Sequence, residues 1–207
     1  MKVRQYLKFI WQEELTQDSQ MEEDILQKLS KSLKDELYNE ANGFFLAKSP
    51  MFYSNFSLKF LTELNHNVKE ARFNPGENIF EENVIDDGSI YFLLKGNVKI
   101  CTNSINRYHK HTKRELVVIP EGKIFGEMAF FSGNIRSVSA YSKDFVSVLF
   151  VKRDDFIKTL KNFPNDYQRY CQIKDQLLLG NNFKAINLNC YACKQYDHLG
   201  SDCPLLN

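Results

Sequence analysis

The stretch from Phe125 to Ala140 constrains this chain more than any other. It opens with a glycine and a carboxylate, Gly126 and Glu127, and Arg136 follows nine positions after that carboxylate. Apolar runs with a period of two precede the stretch and are separated by glycine turns, which indicates a sheet-rich domain. A glycine turn with free backbone N–H groups and an arginine suits a phosphate, and a carboxylate suits a sugar hydroxyl. The stretch therefore predicts a pocket for a small anionic ligand.

Residues 125–140 resemble the phosphate-binding cassette of the cyclic nucleotide-binding domain family. The family pattern of Phe-Gly-Glu, a small-apolar stretch and Arg-Ser-x-Ser is filled here, with the same interval between the glutamate and the arginine. The order of strands and turns also agrees through residues 73–80, 89–100 and 121–126. A surface hairpin that merely carries an exposed glutamate and arginine is the alternative, and this context disfavours it. The resemblance implies cAMP or cGMP as the ligand.

The resemblance gives the polar side chains of this cassette their roles. Arg136 would pair with the phosphate, and Glu127 would accept a ribose hydroxyl. Ser137 would donate to the phosphate and accept from a guanine amino group, but the choice between cAMP and cGMP stays open. The full set of predicted ligand contacts is Phe125, Gly126, Glu127, Met128, Ala129, Arg136 and Ser137, with the apolar Ile100, Val117 and Leu177 around the base.

The three apolar residues of that set have a second explanation. By its distance from Pro164, Leu177 falls where related channels place a residue over the purine, on a helix that closes the pocket as a lid. Ile100 and Val117 would flank the base from the strands. All three are equally well explained as ordinary core residues.

The elements around the cassette predict an α+β fold, an antiparallel β-roll (jelly-roll-like) flanked by helices. A helix is expected between Phe52 and His66, with Ser57 as a candidate cap. Two more are expected, one opening at Arg153 and one running from Pro164 to about Gly180. Residues 103–114 are expected to form an exposed loop. The predicted strands are 71–80 with a break at Pro75, then 90–94, 98–101, 116–119, 138–141 and 146–151.

The chain is expected to divide into four parts. The predicted boundaries are 1–49 for a helical linker, 50–180 for the cyclic nucleotide-binding domain, 181–189 for a tether and 190–207 for a small zinc knuckle. In the first part the helical period is broken near residues 17–19 and 30–32, and a helix is expected to begin at Ser32. This part resembles an incomplete copy of the linker that joins the pore of cyclic nucleotide-regulated channels to their binding domain. A helical hairpin that packs on its own domain is the alternative.

The tail carries four metal-binding side chains at a defined spacing, Cys190, Cys193, His198 and Cys203. Three thiolates and one imidazole make a closed tetrahedral set for zinc, and the Cys-x2-Cys-x4-His-x4-Cys spacing resembles the zinc knuckle family. Such knuckles often bind single-stranded nucleic acid. Here the charges of residues 181–207 cancel, so a structural or protein-contact role is the better hypothesis and nucleic acid is not an expected partner. A disordered tail with free thiols is the alternative.

Composition limits the partners and the location of the chain. Lys and Arg number 27 against 26 Asp and Glu, so there is no bulk positive field for nucleic acid or an anionic membrane. No apolar run approaches the roughly 18 residues that span a bilayer, and the N-terminus lacks a secretory signal. The expected location is therefore the cytoplasm, at the cytosolic face of a membrane if the chain is part of a channel.

These observations predict a cyclic nucleotide sensor similar to the cytosolic region of a cyclic nucleotide-regulated cation or potassium channel. Such a module would be a homo-oligomer, and a tetramer within a channel. No catalytic constellation appears, so the chain is not expected to be an enzyme. The alternatives are a kinase-type regulatory subunit, a nucleic-acid-binding protein that acts through the zinc knuckle, and a domain that keeps the fold without its ligand. The last is disfavoured because Glu127 and Arg136 are intact.

Overall fold

The computed structural model describes residues 28, 30, 33, 46, 49–105, 111–190, 192–199 and 203–205. It divides the chain into two compact units, Met1–Ala41 and Asn42–Asn207. In the first unit the side chain of Ser30 accepts a hydrogen bond from the backbone N–H of Leu33 at 3.3 Å, which is the geometry of a helix N-cap. The other predictions for the N-terminal helices, including the helix start at Ser32, lie outside the described residues.

Two four-stranded antiparallel sheets form the centre of the second unit. The order of strands is β1-β8-β3-β6 in one sheet and β2-β7-β4-β5 in the other. This arrangement confirms the predicted antiparallel roll. The strands are β1 Lys69–Phe73, β2 Asn78–Phe80, β3 Ile90–Lys95, β4 Val98–Ile105, β5 His111–Ile119, β6 Ile124–Phe125, β7 Ser139–Ser142 and β8 Val146–Val151.

Glycine turns join the strands where the sequence predicted them. Gly96 lies between β3 and β4 with a φ of 91°, and a side chain there would collide with the carbonyl of Phe145. The next residue, Asn97, is held by the Asp144 carboxylate through its backbone N–H at 2.7 Å and its side-chain amide at 2.9 Å. The loop expected at residues 103–114 is partly strand, because β4 and β5 stay paired from Asn103 opposite Lys113 to Ile105 opposite His111.

Five α-helices and one 3-10 helix are seen in the described part of the second unit. They are α1 Pro50–Tyr53, α2 Leu58–Asn65, α3 Glu127–Ser132, α4 Arg153–Leu160, α5 Pro164–Leu178 and the 3-10 helix Lys184–Ile186. None of the helices in the described residues combines the length and apolarity needed to cross a membrane.

The helix predicted between Phe52 and His66 is α2, a separate short helix α1 precedes it, and the division between the two lies at Ser57. Its side chain accepts from the N–H of Phe60 at 3.3 Å, so it caps α2 as predicted. Its own backbone N–H and hydroxyl both donate to the carboxylate of Asp166, at 2.6 and 2.7 Å. An N-cap residue is not helical, and therefore the chain must break before α2. α3 was not predicted as a helix, because six residues are too few to show a period.

Two apolar clusters make up the core. The first lies among the helices and one face of the β3 sheet, and its largest fully buried members are Phe52, Phe60, Phe130, Phe131 and Phe156. The second fills the roll, around Phe80, Tyr91, Phe125, Val146 and Val148. The cassette stands between the two clusters, since Phe125 belongs to the second and Phe130 to the first.

Residues 181–189 do not run free of the domain. Phe183 and Ile186 are buried in the first cluster, and the carbonyl of Ala185 accepts from the side chain of Asn55 at 3.0 Å. The expected tether is therefore packed against the domain, because its two large apolar side chains complete the helical core. The domain boundaries themselves stay a prediction.

Candidate functional site

The cassette backbone makes a tight turn between β6 and α3. Gly126 takes a φ of 85° there, and a side chain at this position would lie 3.0 Å from the carbonyl oxygen of Ser89 and from Nη1 of Arg136. Only glycine meets both demands without strain. α3 begins at the next residue, so the N–H groups of its first turn have no acceptor within the helix. N–H donors at such a helix start can bind an anionic group, although that of Glu127 already bonds its own carboxyl.

Arg136 is buried, with 2% of its surface exposed. Its Nε donates to Asp86 at 2.8 Å, Nη1 to the Gly126 carbonyl at 3.0 Å and Nη2 to the Ser89 carbonyl at 2.7 Å. The guanidinium also lies over the ring of Phe80, 4.2 Å from its centroid. These contacts use three of the five N–H donors of an arginine. Arg136 therefore has partners within the protein, and a phosphate would compete with the carboxylate of Asp86.

Glu127 is the second polar group of the cassette. Its carboxyl is densely surrounded by protein, although the residue as a whole keeps some exposed surface. Burial raises the pKa of this carboxyl to about 7, while its own backbone N–H and the charge of Arg136 act in the opposite direction. Near neutral pH the group thus titrates, and an added hydroxyl donor would favour its ionised form.

The two strand residues predicted beside the base are direct neighbours. Ile100 on β4 pairs with Val117 on β5, so their side chains share one face of the sheet. Ile100 is 9% exposed and belongs to the cluster inside the roll, and Val117 packs against that cluster. Phe80, which lies under the guanidinium of Arg136, is part of the same cluster. The apolar platform and the arginine thus share one core.

Leu177 is not brought to this platform. It is 4% exposed and lies in the helical cluster with Ile173 of the same helix, whereas Ile100 and Val117 belong to the roll cluster.

Among the cassette residues, Ser137 is exposed and Ala129 is buried at 5%. Met128 is partly buried against the helical cluster, and the ring of Phe125 stacks on Tyr91 at 5.1 Å within the roll.

Two side chains at this site were not found from the sequence. Asp86, the partner of Arg136, was not predicted as a site residue, since nothing in the sequence shows that its loop folds onto an arginine fifty positions away. Arg153 was read as a helix start. Its Nε donates to the carbonyl of Phe130 on α3 at 2.9 Å, and its Nη2 donates to the hydroxyl of Tyr170 on α5 at 2.7 Å. Arg153 therefore connects the end of the cassette helix to the predicted lid helix.

The four predicted metal ligands come together at the C-terminus. The ligand atoms of Cys190, Cys193, His198 and Cys203 all lie within 4.8 Å of one another. Zinc bonds of about 2.0 to 2.3 Å in a tetrahedron require ligand atoms at this kind of separation. Cys190 and Cys203 are fully buried. The donor set and its geometry therefore fit a closed zinc site.

Groups around the cluster orient and activate its ligands. His198 places Nε2 3.1 Å from Cys193 Sγ, while its Nδ1 lies 2.7 Å from the carboxylate of Asp197. A carboxylate behind a histidine is the usual second partner of a zinc ligand. Burial raises the pKa of the Cys190 thiol, but hydrogen bonds from the N–H groups of Cys193 and Ala192, together with those from the thiols of Cys203 and Cys193, outweigh it and lower that pKa to about 6. A thiol with a low pKa is readily available to a metal as thiolate.

Comparison with known proteins agrees with this geometry. Residues 70–163 match the family model described as the cyclic nucleotide-binding domain. The chain is 29% identical over 146 residues to potassium/sodium hyperpolarization-activated cyclic nucleotide-gated channel 4 of human and of rabbit, and 26% identical over 143 residues to channel 2 of mouse. These matches cover 69% of this chain, but only 11% of channel 4 and 15% of channel 2.

Proposed function

Because residues 70–163 form a cyclic nucleotide-binding domain similar to those of hyperpolarization-activated channels, we propose that this chain senses cAMP or cGMP through its cassette. The observation that carries the proposal is the meeting of Gly126, Glu127 and Arg136 beside the platform of Ile100 and Val117. Domains of this family regulate by binding a ligand and do no chemistry of their own.

Each group at the site has a task in this proposal. The phosphate is bound by Arg136 and the first N–H groups of α3, since charge-assisted hydrogen bonds are the strong ones. The ribose hydroxyl donates to Glu127, and the base packs on Ile100 and Val117. Ser137 is exposed next to Arg136 and is available to either the phosphate or a guanine amino group. Two cassette members that were also predicted to contact the ligand, Phe125 and Ala129, are buried, and we propose that they act by shaping the turn.

Binding of the phosphate is an exchange of partners. Arg136 is already paired with Asp86, so a phosphate at its guanidinium replaces a carboxylate or shares the group with it. The net gain is the difference between the two anions rather than a whole ion pair. Movement of the Asp86 turn is therefore part of the proposed binding step.

The lid helix α5 provides the response. For Leu177 to cover the base, the C-terminal half of α5 has to leave the helical cluster in which Leu177 is now buried. Arg153 gives the cassette a direct contact with α5, because it bonds the carbonyl of Phe130 and the hydroxyl of Tyr170. A ligand can shift α5 only by the difference in its affinity for the two positions.

The C-terminal cluster is proposed as a structural zinc site held by Cys190, Cys193, His198 and Cys203. When bound, zinc cross-links a segment that has few apolar residues of its own. Four protein ligands leave no open coordination position, so the metal would stabilise the fold and take no part in catalysis.

The channel context is a further part of the proposal. The named relatives are channels, and this chain spans 11 to 15% of their length, over the region that contains the binding domain. We infer a role as the cytosolic regulatory region of a cyclic nucleotide-regulated cation or potassium channel, assembled as a tetramer, with residues 1–49 as its linker. In that setting, movement of α5 would be passed to the linker.

Calorimetric titration of the purified chain with cAMP and cGMP tests the binding proposal. Replacing Arg136 with alanine should weaken binding at least about tenfold, or about 1.4 kcal/mol, because the phosphate then loses its cation and faces the unpaired carboxylate of Asp86. Lys123→Ala and Lys143→Ala are the matched controls, because these lysines are exposed and should change affinity by less than about threefold. Equal effects of the three substitutions would contradict the assigned site.

A further inference from the structure

The chain turns back on itself directly after the lid helix. The carbonyl of Gln176 near the end of α5 accepts from the N–H groups of Gly180 at 3.2 Å and Asn182 at 3.0 Å. Asn181 between them has a φ of 45°. These hydrogen bonds close the turn tightly, so residues 183–188, which we call the clasp, follow the end of α5 directly.

The clasp packs on the same core as the lid helix. Phe183 and Ile186 are 4% and 3% exposed, and they belong to the helical cluster that also holds Ile173 and Leu177 of α5. Burial of two such side chains is a large local stabilisation, because each removes most of its apolar surface from water. Seating of the clasp therefore contributes to the apolar cluster in which Leu177 is buried.

A polar link reinforces this packing. Asn55, just after α1, donates to the clasp carbonyl of Ala185 at 3.0 Å and to the carbonyl of Met51 at 2.7 Å. Its side-chain oxygen accepts from Nε and Nη2 of Arg169 on α5, at 3.0 and 2.6 Å. One amide thus connects the clasp, the start of the domain and the lid helix.

The knuckle, whose ligands extend from Cys190 to Cys203, contacts both the clasp and the helical cluster. The N–H of Phe183 donates to the carbonyl of Tyr196 at 2.8 Å, and Tyr196 lies between the ligands Cys193 and His198. Leu199, which follows His198 directly, packs against the helical cluster. Binding of a metal to the four ligands would therefore also fix the carbonyl of Tyr196 and the side chain of Leu199, through which the knuckle contacts the domain.

From these contacts we propose that the knuckle is a metal-dependent lock on the lid helix: zinc at Cys190, Cys193, His198 and Cys203 seats the clasp, and the seated clasp keeps α5 in the helical cluster. A segment as short as the knuckle cannot bury enough surface to hold its shape without a cross-link. Loss of the metal therefore releases Tyr196 and Leu199, weakens the clasp and frees the C-terminal half of α5.

The consequence for the ligand rests on the function proposed above. If cyclic nucleotide binding requires α5 to leave the helical cluster, zinc and nucleotide favour different positions of the same helix. Thermodynamic linkage then makes the effect mutual, so zinc weakens nucleotide binding by the same factor as nucleotide weakens zinc binding.

Hydrogen exchange measured on the full chain tests the lock without any nucleotide. Amides of residues 170–178 should exchange about tenfold or more faster after zinc is removed with excess chelator, because exchange reports local opening. Cys193→Ser should show the fast exchange with or without chelator. Cys101→Ser, which removes a buried thiol of β4 outside the knuckle, is the matched control and should behave as the parent chain.

A second pair of variants separates the clasp from the metal. Phe183→Ala leaves all four ligands intact, and its zinc-loaded form should show the fast exchange of α5, while Leu205→Ala alters a tail residue that is 74% exposed and should change nothing. Unchanged exchange of residues 170–178 on zinc removal, with faster exchange confined to 190–203, would overturn the lock.

Titration with cAMP completes the test. The metal-depleted chain should bind cAMP about threefold or more tightly than the zinc-loaded chain. Equal affinities would overturn the coupling to the ligand. Absence of cAMP and cGMP binding in both forms would instead remove the proposed function, while the exchange experiment would still decide whether the knuckle locks α5.

Discussion

Replacement of Glu127 with glutamine should stabilise the protein, and only above acidic pH. Burial raises the pKa of this carboxyl from its ordinary 4.5 to about 7 in the folded chain. The difference, at about 1.36 kcal/mol for each pKa unit, corresponds to a penalty of about 3 kcal/mol for the ionised group. Below pH 4.5 the carboxyl is neutral in both folded and unfolded chains, so no penalty exists. The penalty grows as pH rises from about 4.5 to 7 and is constant above that.

Denaturant unfolding of the parent chain and Glu127→Gln from pH 4 to pH 8 measures this difference. The variant should gain nothing at pH 4 and up to about 3 kcal/mol at pH 8, with the change between the two pKa values. Glu121→Gln alters an exposed carboxylate in the turn before β6, and its effect should vary by less than about 0.5 kcal/mol over the range. A Glu127→Gln difference that does not depend on pH would refute the burial argument.

The same carboxyl should release a proton when the nucleotide binds. A ribose hydroxyl that donates to Glu127 favours the ionised form and lowers its pKa. Calorimetry at about pH 6.5 in buffers of different ionisation heat should therefore show proton release with cAMP, and none with Glu127→Gln. Retention of an acid that destabilises the fold is expected where the acid serves a ligand.

Three further predictions concern other parts of the chain. Asp86→Asn should lower the thermal midpoint by itself but increase the shift that saturating cAMP produces, because the phosphate then meets no competing carboxylate; a smaller shift than in the parent chain would contradict the exchange model. Elemental analysis should find about one zinc per molecule and almost none in Cys193→Ser, and a metal-free parent chain prepared without chelator would refute the site. If residues 1–49 act as a channel-type linker, sedimentation should show self-association that cAMP strengthens, whereas a strict monomer at high concentration would favour the helical hairpin.

The roll and the ligand sets were predictable because each depends on local chemistry. A glycine is demanded at position 126 by the left-handed backbone and at 96 by the nearby carbonyl, so both mark turns in the sequence. The four metal ligands are close in the chain, and their spacing alone brings them together. Short elements were harder, since the break before α2 depends on a bond from Ser57 to Asp166, more than a hundred positions away.

Partners distant in the chain were not predictable, and they change the meaning of the motif residues. Arg136 was predicted to pair with a phosphate, but it is buried against Phe80 and already bonded to Asp86 and two carbonyl oxygens. Leu177 was expected above a base, but it is buried in the helical cluster that also holds Phe183 and Ile186. A sequence pattern indicates which side chains could contact a ligand. The folded structure shows which existing contacts those side chains would have to break first.

In the proposed function, Arg136 and Leu177 must therefore both give up contacts within the protein before they can hold a nucleotide. Asp86 pairs with Arg136, and Leu177 is buried in the cluster that also holds Phe183 and Ile186, so in the proposed function the ligand would have to draw both side chains out of existing contacts. Affinity then depends on the difference between two sets of contacts, and small changes in either set shift the balance. If the proposed function is right, substitutions at Asp86 or Phe183, which need not touch the nucleotide, should also change its affinity.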